Sequence, residues 1–133
     1  MQINARKISK GKAKGELLIS KDAISFFGGV DPDTGIIVEK GHSLEGESIA
    51  GKILVFPNGK GSTVGSYTLY RLKKNNKHPI GIINKECEAI VAVGAIISQI
   101  PLIDKLEEDK YNLLKTGQKV EIDADKGELI LEE

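Results

Sequence analysis

"KILVFPNGKGSTVGSYTLY", Lys52 to Tyr70, contains the step on which the fold turns. Lys52 to Phe56 is a short β-branched and aromatic run, the pattern of a strand buried on both faces. Pro57 ends it, since proline has no N–H to give to a strand ladder. Beyond Gly59-Lys60-Gly61-Ser62-Thr63, the residues Val64, Tyr67, Tyr70 or Arg71, and Leu72 recur at three and four positions. That spacing predicts an amphipathic helix over about 63–75. Strand, glycine-rich turn and helix together aim free backbone N–H groups at an anion.

Three uses of this junction are open: a helix cap, a phosphate cradle, or the seat of a reactive serine. A P-loop requires G-x-x-x-x-G-K-[ST], and the glycine upstream of Gly59-Lys60-Gly61-Ser62 is missing. Ser62 or Thr63 as an N-cap accounts for one hydroxyl, at about 1 kcal/mol. It leaves Gly59 and Gly61 unexplained, since each costs backbone entropy unless φ is positive or something approaches closely. A nucleophilic serine needs a base, for which His42 and His78 are available. No G-x-S-x-G elbow frames Ser62, because Lys60 and Val64 stand where the glycines belong. A serine oxygen can instead accept a proton where amides and a helix end stabilise the oxyanion. Each unit of pKa lowering takes about 1.36 kcal/mol.

Outward from the junction, Pro79 to Ile83 reads as a second buried strand closed by Asn84. Glu86 to Ile97 reads as a helix, because it exceeds ordinary strand length, and Ile100 to Ile103 as a third strand. Upstream, residues 2–19 read as two strands joined by a basic turn, and Ala23 to Phe27 is an apolar run stopped by Gly28-Gly29. "GGVDPDTG" is a tight loop in which Asp31 suits an Asx-type turn. Gly35 to Val38 reads as a strand, and "HSLEGESIAG" as a loop carrying His42 and Ser48. The chain closes with two alternating strands about Asp125-Lys126-Gly127. The sum is one α/β domain over residues 1–133, richer in strand than in helix.

Composition narrows the chemistry. Nineteen basic and nineteen acidic residues cancel, so no general pull toward nucleic acid or an anionic membrane is expected. Lys7, Lys10, Lys12 and Lys14 suit the solvated face of an edge strand. No stretch approaches the roughly 20 apolar residues of a membrane span, and the N-terminus lacks an apolar signal region. A cytoplasmic location is expected. Cys87 stands alone, and His42 and His78 have no local partners at ligand spacing, so no metal site is expected in this chain.

"GGVDPDTGII", "GHSLEGESIAGKILVFPNGKGSTVGSYTL", "PIGIIN" and "AVGAIISQIPLID", in that order, resemble the small subunits of the aconitase X family from about residue 2 to 131. The narrowest resemblance is to the archaeal branch that dehydrates (R)-5-phosphomevalonate to trans-anhydromevalonate 5-phosphate in isoprenoid synthesis. The resemblance implies a swivelling β/β/α domain like the mobile domain of aconitases. It also implies a heterodimer with a larger subunit that carries a [4Fe-4S] cluster acting on the leaving hydroxyl. Ser62, placed after Gly61, matches the family's proton-accepting serine. Gly59, Lys60, Gly61, Thr63, Ser66 and His42 are then the residues expected around the phosphorylated hydroxy-acid substrate. Ordinary aconitases carry an arginine two positions after the serine. Here Val64 stands there and the nearest arginine is Arg71, so the substrate carboxylate must be held differently. The same pattern serves cis-3-hydroxyproline dehydratases, and a non-catalytic anion-binding module is the alternative from outside enzymology.

Overall fold

The computed structural model describes residues 1–61 and 63–132. Among these residues, eight strands form one sheet: β1 (Gln2–Asn4), β2 (Arg6–Ser9), β3 (Lys12–Ile19), β4 (Ile53–Phe56), β5 (Gly81–Asn84), β6 (Leu102–Asp104), β7 (Lys119–Asp123) and β8 (Glu128–Leu131). Their order is β1-β8-β7-β3-β4-β5-β6-β2. The inner run β3-β4-β5-β6 is parallel and the other pairings are antiparallel. The two edges, β1 and β2, are separated in the chain by Ala5 alone. Two terminal strands one residue apart in the chain require the sheet to curl strongly, so that β1 hands the chain directly to β2.

Parallel neighbours need crossovers: residues 20–52 connect β3 to β4, and two helices supply the others, α2 (Gly65–Lys74) between β4 and β5 and α3 (Ala89–Ile97) between β5 and β6. α2 and α3 pack on each other, while the single turns α1 (Phe26–Gly29) and α4 (Glu108–Tyr111) are too short to form layers. Alternate strand residues serve two cores. Leu54, Phe56, Ile82 and Leu102 meet Leu69, Leu72, Val91 and Ala95 of the helices. Ile53, Val55, Ile83 and Ile103 meet Val120, Ile122 and Leu129 of the closing hairpin. Both faces of β4 and β5 are therefore buried, which is why their sequences run apolar without alternation. Each such side chain is worth roughly 1.5–3 kcal/mol of burial. The layering is the β/β/α arrangement expected.

Several boundaries differ from the sequence reading. Residues 2–19 form three strands, because the chain leaves the β8 edge at Ala5, whose N–H donates to Gly127 O at 2.8 Å, and then joins β6. Gly35 to Val38 makes only isolated bridges, Val30 with Ile37 and Ile36 with Ser48. α2 buries Gly65, Thr68, Leu69 and Leu72, whereas Val64, Tyr67 and Tyr70 are exposed. The predicted stripe is rotated because α2 meets α3 through a small-residue contact at Gly94. A Cβ on Gly94 would lie 2.7 Å from Leu69 Cδ1 and 3.1 Å from Ser66 Cα. Glu88 caps α3 by accepting the N–H groups of Ile90 (3.0 Å) and Val91 (2.7 Å). The β2 edge is pinned by Asp104, which is fully buried. It accepts Arg6 Nε at 2.9 Å and Nη2 at 2.8 Å, and the Cys87 N–H at 2.7 Å.

Candidate active site

β4 delivers the chain to the end of the sheet where β3, β4, β5 and β6 finish, and the loop that follows is held from two sides. From β5, Asn84 Nδ2 donates to Phe56 O (2.9 Å), and the N–H groups of Lys85 (3.0 Å) and Glu86 (3.3 Å) donate to Pro57 O. From the segment before α1, Ile24 N–H donates to Asn58 O (3.2 Å) and Lys60 N–H donates back to Ile24 O (3.0 Å). These bonds make a parallel bridge between Ile24 and Gly59. Residues 56–60, satisfied in this way on both flanks, form a rigid platform rather than a free excursion.

The two glycines have steric reasons. A Cβ on Gly59 would stand 2.5 Å from Val91 Cγ2 and 2.6 Å from Glu88 Oε1, the oxygen that caps α3. Gly61 has φ +94°, and a Cβ there would collide with Ser25 Oγ. The loop thus lies against the start of α3 on one side and against Ser25 on the other. Ser62, the residue between Gly61 and Thr63, lies outside the described residues. Its neighbours Gly61 and Thr63 are both exposed.

After Thr63 the chain turns into α2. Ser66 Oγ donates to Thr63 O at 3.1 Å, and Val64 takes the N-cap position with no side-chain cap bond. The first turn of α2 carries no acid, and its last turn carries Arg71, Lys73 and Lys74. No carboxylate of α2 itself therefore cancels the partial positive charge of its start, although Glu39 and Glu88 from other segments lie beside the loop. Lys60 Nζ is paired with Glu39 Oε2 at 2.9 Å, with both side chains substantially exposed. Such a pair is worth at most about 1 kcal/mol, so an incoming anion can compete for the ammonium.

His42 is 7% exposed, and both its ring nitrogens are engaged. Nδ1 accepts the Leu44 N–H at 3.0 Å, which leaves Nε2 protonated to donate to Ala23 O at 3.1 Å. The ring fastens the 42–51 loop to the segment that carries Ile24 and Ser25. Gly59, Lys60, Gly61, Thr63 and Ser66 share one loop and helix start, whereas His42 lies behind the neighbouring segment. Asp31 makes an Asx turn, accepting the Asp33 N–H at 2.9 Å. The sequence reading did not single out Ile24, Ser25, Glu39 or Glu88. Their contacts with the loop join residues more than 20 positions apart, and no local spacing signals them.

Among the described residues no three His, Cys, Asp or Glu side chains gather as a metal site. Burial, followed by the nearby charge of Asp104, pushes the Cys87 thiol up to about 12, so at neutral pH it is held as the thiol rather than the thiolate. The fold favours the neutral thiol, while the unfolded chain ionises near the ordinary 9.0. This contribution is whole below about pH 9 and is lost as pH climbs toward 12. Tyr111, raised to about 12 by burial, acts in the same direction. Two results are expected: Cys87 alkylates slowly at pH 8 unless denaturant is present, and Tm falls above pH 9 less steeply in Cys87→Ala than in the parent.

Comparison with known proteins follows the same outline. The family model described as the aconitase X swivel domain matches residues 2–131. A Methanosarcina acetivorans protein named phosphomevalonate dehydratase small subunit is 60% identical over 96% of this chain and 88% of its own. A Thermococcus kodakarensis protein of the same name is 58% identical over 100% of this chain and 98% of its own. Among solved structures, the holo-form of Thermococcus kodakaraensis aconitase X superposes with a TM-score of 0.94 at 56% identity, covering 100% of this chain and 99% of that one.

Proposed function

From the premise that this chain belongs to the aconitase X swivel-domain family, we propose that it is the small subunit of a two-subunit hydro-lyase in the cytoplasm. The substrate is (R)-5-phosphomevalonate and the product trans-anhydromevalonate 5-phosphate, a step of archaeal isoprenoid synthesis. The observation that carries this reading is near-full-length identity of 51–61% to chains that bear that small-subunit name. Residues 1–133 act as one swivel unit.

The division of labour follows from what this chain has. The [4Fe-4S] cluster implied by the family finds no ligand set among the described residues, and Cys87 is a buried thiol. The cluster is assigned to the larger subunit, and the departure of the hydroxyl with it. This chain supplies Ser62, whose oxygen takes the proton next to the substrate carboxylate while that C–H electron pair forms the new double bond. The helix start and the loop amides favour the oxyanion form of Ser62. Gly59 and Gly61 keep the loop against α3 and Ser25, Thr63 and Ser66 shape its exit into α2, and Lys60 exchanges Glu39 for a substrate charge. His42 positions the adjoining segment.

The test is reconstitution. Neither this chain nor the cluster-loaded larger subunit alone converts (R)-5-phosphomevalonate, and the mixture does, with product identified by mass spectrometry. Conversion by the larger subunit alone, or none by the mixture with an intact cluster spectrum, overturns the reading. Turnover of cis-3-hydroxyproline in place of phosphomevalonate keeps the reaction class and replaces the substrate.

A further inference from the structure

α3 is unusual for a surface helix because none of its nine residues, Ala89 to Ile97, is polar or charged. A helix apolar all round is ordinarily covered all round, yet Val93, Ile96 and Ile97 are 50%, 54% and 46% exposed. Ile96 and Ile97 stand as a ridge between two grooves. One, of about 520 Å³, is lined by Ile8, Ile96 and Gln99 and flanked by Lys7 and Lys10. The other, of about 410 Å³, runs between Tyr70 and Ile97 and is flanked by Lys73 and Lys74. None of these four lysines is ion-paired among the described residues. Asp125 is the one carboxylate lining either groove, and it accepts the Gly11 N–H.

The geometry points to this ridge and its grooves as a seat for the larger subunit, through an apolar segment framed by carboxylates. The inference rests on the two-subunit reading above. Charge decides against a second copy: a two-fold contact ridge to ridge would set four lysines without an acidic partner among the described residues, one of them (Lys74) over the Tyr70 ring, against four more. It also decides the partner's chemistry, since an apolar centre with an acidic rim satisfies both the exposed isoleucines and the lysines. The seat is separate from the chemistry. Glu88 and Val91, at the start of α3, abut Gly59, and Ile97 lies about 9 Å along the axis from Val91.

The test uses the complex of the full chain with the cluster-loaded larger subunit, with affinity measured by calorimetry. Ile97→Asp is expected to raise Kd about tenfold or more with an unchanged melting profile, because the side chain is half exposed. Lys10→Glu with Lys74→Glu is expected to weaken binding and to flatten its salt dependence. At saturating concentration both variants return to parental turnover per complex, which a damaged active site would not allow. An unchanged Kd for folded Ile97→Asp overturns the inference. So does self-association of the chain alone that Ile97→Asp abolishes, which assigns the face to a second copy. Binding to phosphatidylglycerol vesicles that the variant loses assigns it to a bilayer and overturns it equally. A pair that binds through this face but never dehydrates substrate overturns the proposed activity and leaves this surface standing.

Discussion

Ser62→Ala is expected to lower the turnover of the reconstituted pair by about 10²–10⁴-fold, the range for removing a positioned general base. Larger-subunit affinity, the cluster absorption spectrum and the melting profile should stay unchanged. The argument is electrostatic. A serine hydroxyl holds its proton far above neutral pH, and each unit of lowering takes about 1.36 kcal/mol of preference for the oxyanion. The loop offers that preference in an economical form. Residues 56–60, on the approach to Ser62, are fixed by Ile24, Asn84 and the amides of Lys85 and Glu86, which limits the reorganisation that the proposed proton transfer requires when charge develops. α2 begins directly after it, with no acid in the first turn to cancel the helix end. The exchange of the substrate's carboxylate-adjacent proton with solvent deuterium separates proton transfer from the rest of the reaction. In Ser62→Ala that exchange should fall in step with turnover. Unchanged turnover sinks the assignment of Ser62, and lost cluster absorbance would mean that the substitution disturbed assembly instead.

Gly94→Val is the largest stability effect expected. A Cβ alone at this position would stand 2.7 Å from Leu69 Cδ1 and 3.1 Å from Ser66 Cα. Ser66 Cα is backbone and cannot rotate away, so α2 and α3 must separate. Overpacking of this kind costs roughly 1–3 kcal/mol, and more where backbone has to move. For a chain of this size that is a fall in Tm of about 4–11 °C, measured by calorimetry. Because Ser66 stands in the first turn of α2, the same shift carries the helix start away from the loop. Activity should therefore fall more than the folded fraction does. A Tm within about 1 °C of the parent would show that the helices can spread freely there, and the rigid-platform account of the loop would fail with it.

Much of this could be read one residue at a time. Lys52 to Phe56 and Pro79 to Asn84 declared themselves as buried strands because only two-sided burial tolerates such runs. Asp125-Lys126-Gly127 announced a hairpin, and the structure closes one there between β7 and β8. Ordered motifs over residues 2–131 pointed to the family before any contact was known. Other features had no local signature. The spacing of α2 marks Val64, Tyr67, Tyr70 or Arg71, and Leu72; of these Leu72 is buried, together with Gly65, Thr68 and Leu69, while Val64, Tyr67 and Tyr70 are exposed. Which face is buried depends on the partner helix, and Gly94 admits only a small-residue approach. Gly59 and Gly61 looked surplus to a helix cap until Val91, Glu88 and Ser25 were seen against them. His42 could be read as a group at the cleft or as a hydrogen-bonded loop histidine, and only the structure shows Leu44 and Ala23 on its two nitrogens.

The sequence by itself determined the buried strands, the closing hairpin and the family, and it singled out Ser62 as the residue to test, because periodicity, turn chemistry and motif order are properties of near neighbours along a chain. Only the tertiary structure decided why the loop needs two glycines, what holds it rigid, and which face of α3 remains uncovered. Those depend on atoms more than 20 residues apart being brought within a few ångströms, and no local pattern encodes which pairs will meet.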